Sequence, residues 1–136
     1  MANHWILKTE PSDYSFPQLL RDGTTAWSGV RNAQALIHLR AMAKGDRALI
    51  YHTGNEKALV GLARIGSAPY ADPAAGDPRF VAVDVVAERA IPAAVPLADI
   101  KADPALADLG LVRHSRLSVV PASPAQWKRL TALAGL

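Results

Sequence analysis

Between Arg47 and Glu88 the chain carries three strand-like runs and no helical pattern. Arg47–Thr53 and Ala58–Ile65 flank the polar turn Gly54-Asn55-Glu56-Lys57, the arrangement of a β-hairpin. Phe80–Glu88 alternates Val81, Val83 and Val85 with Ala82 and Asp84, the two-residue period of a strand. A doubly wound parallel sheet needs a helix between successive strands. This block excludes that architecture and calls for a mostly antiparallel sheet. Gly29, Gly45, Gly54, Gly61 and Gly66 supply the bends that close such a sheet into a small barrel. The expected fold is α+β: a mixed, mostly antiparallel β-barrel wrapped by short helices, one domain over residues 1–136.

The helices announce themselves by their caps. Ser15-Phe16-Pro17-Gln18 and Ser123-Pro124-Ala125-Gln126 both have the capping-box pattern, with proline in the first turn. The first predicts a helix over Phe16–Asp22, closed by Gly23. The second predicts a final helix with Trp127, Leu130, Thr131 and Ala134 on one face. Asn32 caps a helix over Ala33–Met42. His4–Lys8 and Leu117–Val120 read as short strands, and Trp27–Val30 as a loop or bulge. Gly66–Arg79, with Pro69, Pro73, Pro78 and Gly76, reads as a long surface loop of the kind that often carries function. Pro92 and Pro96 interrupt the segment after Glu88. Leu97–Lys101 and Pro104–Leu109 suit short helical turns.

Composition removes several function classes. The absence of cysteine excludes disulfide frameworks, zinc ribbons, thiolate catalysis and iron–sulfur clusters. No uncharged apolar run approaches the ~18 residues of a membrane span, and the first residues lack the pattern of a signal peptide. A soluble, cytoplasmic monomer without metal or cofactor is expected. No P-loop, Gly-x-Gly-x-x-Gly, Gly-x-Ser-x-Gly or His-Glu-x-x-His motif occurs. The four histidines, His4, His38, His52 and His114, are scattered.

The net charge of +3 is unevenly distributed. Residues 1–68 carry eight Lys/Arg against five Asp/Glu, residues 69–111 three against seven, and residues 112–136 four against none. If the two ends meet in space, they form a basic face suited to phosphates. The densest polar cluster is Arg113-His114-Ser115-Arg116-Leu117-Ser118. Read as a strand, it puts Arg116 and Ser118 on one face. It also suits a turn paired with the acidic middle. Trp27 lies in a polar segment without periodicity. It either stacks on a planar ligand or plugs the end of the barrel. Lys8 at the end of the first strand and Arg31 before a helix start are candidate phosphate contacts. Asn32 either reads an amide-like edge or caps the helix.

Five segments appear in order: Trp5-Ile6-Leu7-Lys8-Thr9-Glu10-Pro11, Trp27-Ser28-Gly29-Val30-Arg31-Asn32, Leu39-Arg40-Ala41-Met42-Ala43-Lys44-Gly45-Asp46, Tyr51-His52-Thr53 and Arg113-His114-Ser115-Arg116-Leu117-Ser118-Val119. As a set they closely resemble the EVE domain of the thymocyte nuclear protein family, a PUA-like domain similar to the YTH domain. The resemblance runs from about Trp5 to Trp127. It implies a PUA-like barrel that binds nucleic acid, with a pocket for a flipped-out modified base. That base is chiefly a modified cytosine such as 5-methylcytosine in DNA, or a modified base in RNA. Carried over by position, it implies a base pocket of Trp5, Trp27, Val30, Asn32, Tyr51, His52, Ser115 and Ser118. Lys8, Arg31 and Arg116 belong to the same set, and with Arg113 they are expected to hold phosphates. Thr9 stands where the family usually has Ser, and His114 where it has Gln or a similar residue. Two other classes remain open. One is a hydrolytic enzyme using Lys8, His52 and Ser115 on a nucleobase or nucleoside amide. The other is a protein-interaction module using the basic face.

Overall fold

A computed structural model describes residues 3–136. Its strands are β1 (His4–Thr9), β2 (Thr24–Trp27), β3 (Arg47–His52), β4 (Ala58–Ile65), β5 (Tyr70–Ala71), β6 (Val81–Pro96) and β7 (Val119–Ala122). The helices are α1 (Phe16–Asp22), α2 (Ala33–Ala41), α3 (Leu97–Ala102), α4 (Gly110–Arg113) and α5 (Pro124–Ala134), with a single 3₁₀ turn at Pro104–Leu106.

All seven strands join one sheet in the order β2-β6-β4-β3-β1-β7, and β5 pairs with β6 off this path. Among the described residues only β1 and β3 run parallel, and every other pairing is antiparallel. The mixed, mostly antiparallel sheet agrees with the expectation. The closed barrel does not, since the edge strands β2 and β7 are not hydrogen-bonded to each other. Helix α2 packs against both β6 and β7, so it covers the opening that closure would have removed.

Local chemistry sets the helix ends. In α5 both arms of the capping box form: Gln126 N–H donates to Ser123 Oγ (3.1 Å), and Ser123 N–H donates to Gln126 Oε1 (2.8 Å). In α1 only one arm forms. Gln18 N–H donates to Ser15 Oγ, while the Gln18 amide turns away to Asp22. Gly23 then ends α1 at φ +78°, donating its N–H to Leu19 O.

Two sequence expectations need correction, and a third stands open between two readings. Thr24–Trp27 is a strand paired with Val83–Val86, so Trp27 ends β2 instead of lying in a loop. Strand β6 continues through Pro92 to Pro96. It can do so because Gly61 pairs with Ala90 and Leu59 with Val95, which leaves residues 91–94 without β4 partners. Pro92 lies in that bulge, where a missing N–H costs the ladder nothing. Of the two readings open for Arg113–Ser118, the structure has the turn and not the strand. Arg113 ends α4, and Ser115 and Arg116 lie in the turn before β7.

The core is one cluster that includes Ile6, Leu7, Leu39, Leu49, Ile50, Leu59, Val119 and Leu130. Gly61 admits the Phe16 ring, since a Cβ at this position would fall 2.3 Å from Phe16 Cε1. Trp127 is buried on the predicted α5 face with Leu130 and Ala134, and it stacks on the His4 ring at 4.5 Å. No helix among the described residues is long and apolar enough to cross a membrane.

Candidate functional site

The opening between the β2 edge and the β1–β7 side contains a cavity of about 520 Å³. The end of β1 contributes Lys8 and Thr9, and Glu10 follows directly after it. Strand β2 and the loop after it contribute Thr25 through Arg31. Ser118 closes the site beside β7. Trp27 forms one wall. It is 9% exposed, and Tyr14 meets it edge-on, with ring centres 6.5 Å apart and planes at 84°. This edge-to-face contact and the surrounding burial seat the indole against the core. The burial answers to the plugging role that its sequence context offered, and the cavity leaves a small part of the indole accessible. Most of its surface is core, and the remainder fronts an open cavity.

Lys8 reaches along the cavity floor. Its ammonium donates to Ser115 O at 3.0 Å and lies 5.9 Å from the Tyr51 ring centre. Burial pulls its pKa below the usual lysine value. The Lys8–Ser115 bond also connects the cavity to a second, larger groove of about 1030 Å³. Asn32 at the cap of α2, with Gln34 and His38 on the helix, lines one side of this groove. Arg113, Ser115 and Arg116 line the other.

The structure divides the expected site residues into three groups. Lys8, Trp27, Val30, Arg31 and Ser118 meet at the cavity. Asn32, Arg113, Ser115 and Arg116 lie along the groove. Trp5, Tyr51 and His52 line neither concavity, because strand pairing turns them into the core. Trp5 donates its indole N–H to buried Asp46 at 3.0 Å. Tyr51 is 4% exposed beneath Lys8. His52 is also 4% exposed, and both of its ring nitrogens are engaged. Its Nε2 accepts the Phe16 N–H at 2.9 Å, so Nδ1 carries the proton toward Glu56 at 2.6 Å. The catalytic set of Lys8, His52 and Ser115 is therefore not assembled around either concavity.

Asn32 is committed to capping α2, with Oδ1 accepting the Ala35 N–H at 3.0 Å. Arg31 is partly committed as well. Its guanidinium packs 4.6 Å from the Phe80 ring centre and pairs with Asp72 at 3.3 Å. The acidic middle of the chain does not lie apart from the basic ends. Asp72 meets Arg31, Asp108 meets Arg113 at 3.4 Å, and Asp103 meets Arg129. Glu10 and Asp13 add carboxylates to the cavity rim. Hydrogen bonds from the Ser12 N–H and hydroxyl hold the Glu10 carboxyl below its ordinary pKa. A simple sum of the basic ends overstates the field at the site. Arg116 has no ion-pair partner among the described residues.

Sequence reasoning missed Glu10, Asp13, Tyr14 and Thr25 at the cavity. Glu10 stood inside a quoted segment. The others gave no periodic or motif signal.

Comparison with known proteins agrees with this architecture. The family model of the EVE domain matches residues 3–133. Human thymocyte nuclear protein 1 is 30% identical over 155 aligned residues, covering 89% of this chain and 69% of that protein. The solved structure of Rpa0253 from Rhodopseudomonas palustris is 41% identical, covers 98% of this chain and 94% of its own, and superposes with a TM-score of 0.93. The crystal structure of human THYN1 protein in complex with DNA containing 5-methylcytosine is 28% identical, with 99% coverage of both chains and a TM-score of 0.91. The chain belongs to the EVE domain family.

Proposed function

We propose that this protein reads a modified base in DNA, taking a flipped-out modified cytosine into the cavity beside Trp27. The observation that carries the reading is the cavity itself: a largely buried indole wall facing about 520 Å³ of open space. That volume is within the ~300–1,000 Å³ range of small-ligand sites. It suits one nucleobase and is far too small for a duplex. The complex of human THYN1 protein with 5-methylcytosine-containing DNA supports the ligand class.

In this reading Trp27 stacks on the base. Lys8, Ser118 and Val30 complete the wall around it, and Arg113, Ser115 and Arg116 follow the adjoining strand along the groove. Flipping costs a few kcal/mol, least for a base already unpaired. One stacking contact returns ~1–3 kcal/mol. Burying a methyl group adds only ~0.8 kcal/mol, roughly fourfold in affinity. Discrimination stronger than fourfold requires polar contacts that penalise the unmodified base.

The experiment is a titration of oligonucleotides containing 5-methylcytosine, cytosine or thymine, as DNA and as RNA, with wild type and Trp27→Ala. Tighter binding of the methylated DNA by wild type, lost in the variant, is expected. Equal binding by the two folded proteins overturns the reading.

A further inference from the structure

We infer that Asp72 is the positioning residue for the Trp27–Arg31 wall of the cavity. It does not line the cavity, so it acts on the site through the backbone it holds. Its functional consequence rests on the base-reading role proposed above.

Three donors converge on this one carboxylate, whose side chain is fully buried. Oδ2 accepts the Gly29 N–H at 2.8 Å and Arg31 Nη1 at 3.3 Å. Oδ1 accepts the Ala74 N–H at 2.9 Å. The Asp72 backbone is anchored in turn: its N–H donates to Phe80 O at 2.9 Å, and its carbonyl accepts the Ala75 N–H at 3.1 Å. Phe80 also lies against the Arg31 guanidinium. The Pro-rich segment 66–79 is therefore fastened to the back of the cavity wall through one side chain.

The loop it holds has little local means of fixing itself. Gly29 has φ +80°, a conformation that L side chains avoid, and Ser28, Gly29 and Val30 belong to no helix or strand. Trp27 is the last residue of an edge strand immediately before this loop. The carboxylate fixes the direction in which the chain leaves Trp27 and thereby the slot that the indole faces. Asparagine has nearly the same size but cannot replace it. Whichever way the amide turns, its NH₂ faces either the Ala74 N–H or the pair of Gly29 N–H and Arg31, donor against donor.

The test uses Asp72→Asn and the indole N–H signals of the three tryptophans in a nitrogen–proton NMR spectrum. These signals report separate places, since Trp5 is bonded to Asp46 and Trp127 is stacked on His4. The Trp27 signal is expected to shift or broaden while the other two stay in place. Affinity for the 5-methylcytosine oligonucleotide is expected to fall about tenfold, the loss of one stacking contact of about 1.4 kcal/mol. In a Trp27→Ala background the same substitution is expected to cause no further loss. An unmoved Trp27 signal overturns the inference, and so does an equal affinity loss in both backgrounds, because a purely structural role acts additively. If Asp72→Asn does not fold, amide exchange in wild type decides instead. A Gly29 N–H that donates to a buried carboxylate exchanges slowly, and exchange at the rate of an exposed loop refutes the fastening. The NMR and exchange results stand even if wild type binds no modified DNA, in which case it is the base-reading role that fails.

Discussion

Replacing His52 with leucine separates a latch from a binding or catalytic group. Phe16 is the first residue of α1, so its N–H is one of the helix-start donors that no intrahelical carbonyl can satisfy. Ser15 Oγ takes the Gln18 N–H, and His52 Nε2 takes the Phe16 N–H at 2.9 Å in a buried setting. Leucine fills similar space but accepts nothing, so a buried N–H loses its partner at a cost of about 1–3 kcal/mol. The Glu56 carboxylate is 47% exposed and is rehydrated with little loss. Against a typical total stability of 5–15 kcal/mol, the variant folds but melts roughly 4–12 °C lower. Glutamine carries an acceptor near the Nε2 position and recovers most of that loss. Urea and thermal unfolding measure the stability, and oligonucleotide titration at a temperature where every variant is folded measures the binding. A latch changes the melting temperature and leaves the affinity of the folded protein within about twofold. A His52→Leu protein with wild-type stability and a severalfold loss of affinity refutes this reasoning and restores His52 to the site.

Two further outcomes follow from the electrostatics. Each phosphate contact on single-stranded DNA contributes about −0.7 to the slope of log affinity against log salt; Arg116→Ala is expected to reduce the slope by about that amount. Arg113→Ala reduces it by less, because Arg113 is already paired with Asp108, and titrations at several salt concentrations distinguish the two. The Asp72 carboxyl is held below its ordinary 3.8, first by the Gly29 N–H and then by the Ala74 N–H and Arg31, against the opposing cost of burial. Its folded-state pKa is depressed, so its stabilisation is complete above the unfolded value and is lost as the pH falls through the folded value. The stability gap between wild type and Asp72→Asn is therefore constant near neutrality and narrows below about pH 4, as read from urea unfolding midpoints across pH.

The parts of the fold that were legible in the chain are those decided by local chemistry. The bounds of α1 follow from Ser15, Pro17 and Gly23, all within eight residues of one another. The bounds of β4 follow from its polar turn and Gly66. The sequence predicts a shorter β6, because Pro92 breaks a regular ladder. Its tolerance depends on a bulge opposite Leu59–Gly61, roughly thirty residues away along the chain. The candidate site divides in the same way. Trp27, Lys8 and Ser118 stand at strand ends or beside them, where polar segments meet an opening. Trp5, Tyr51 and His52 stand in segments of the same ordered set, yet their burial depends on the pairing of β1 with β3. Asp72 had no signal of its own beyond the length of its loop, because its meaning lies in Gly29 and Arg31, some forty residues earlier.

The open sheet explains why the cavity lies where it does. An unpaired strand edge exposes backbone donors and acceptors and invites pairing with other chains. Here two edges, β2 and β7, end one sheet without joining. Helix α2 packs against β7 and against β6, the neighbour of β2, and so covers the opening over part of its length. Beyond its capped start at Asn32 the opening is bounded by the Trp27–Arg31 loop, Lys8 and Ser118, and this uncovered part is the cavity. The unpaired edges thus leave the cavity open, and the Asp72 carboxylate ties the loop after β2 to the segment that precedes β6.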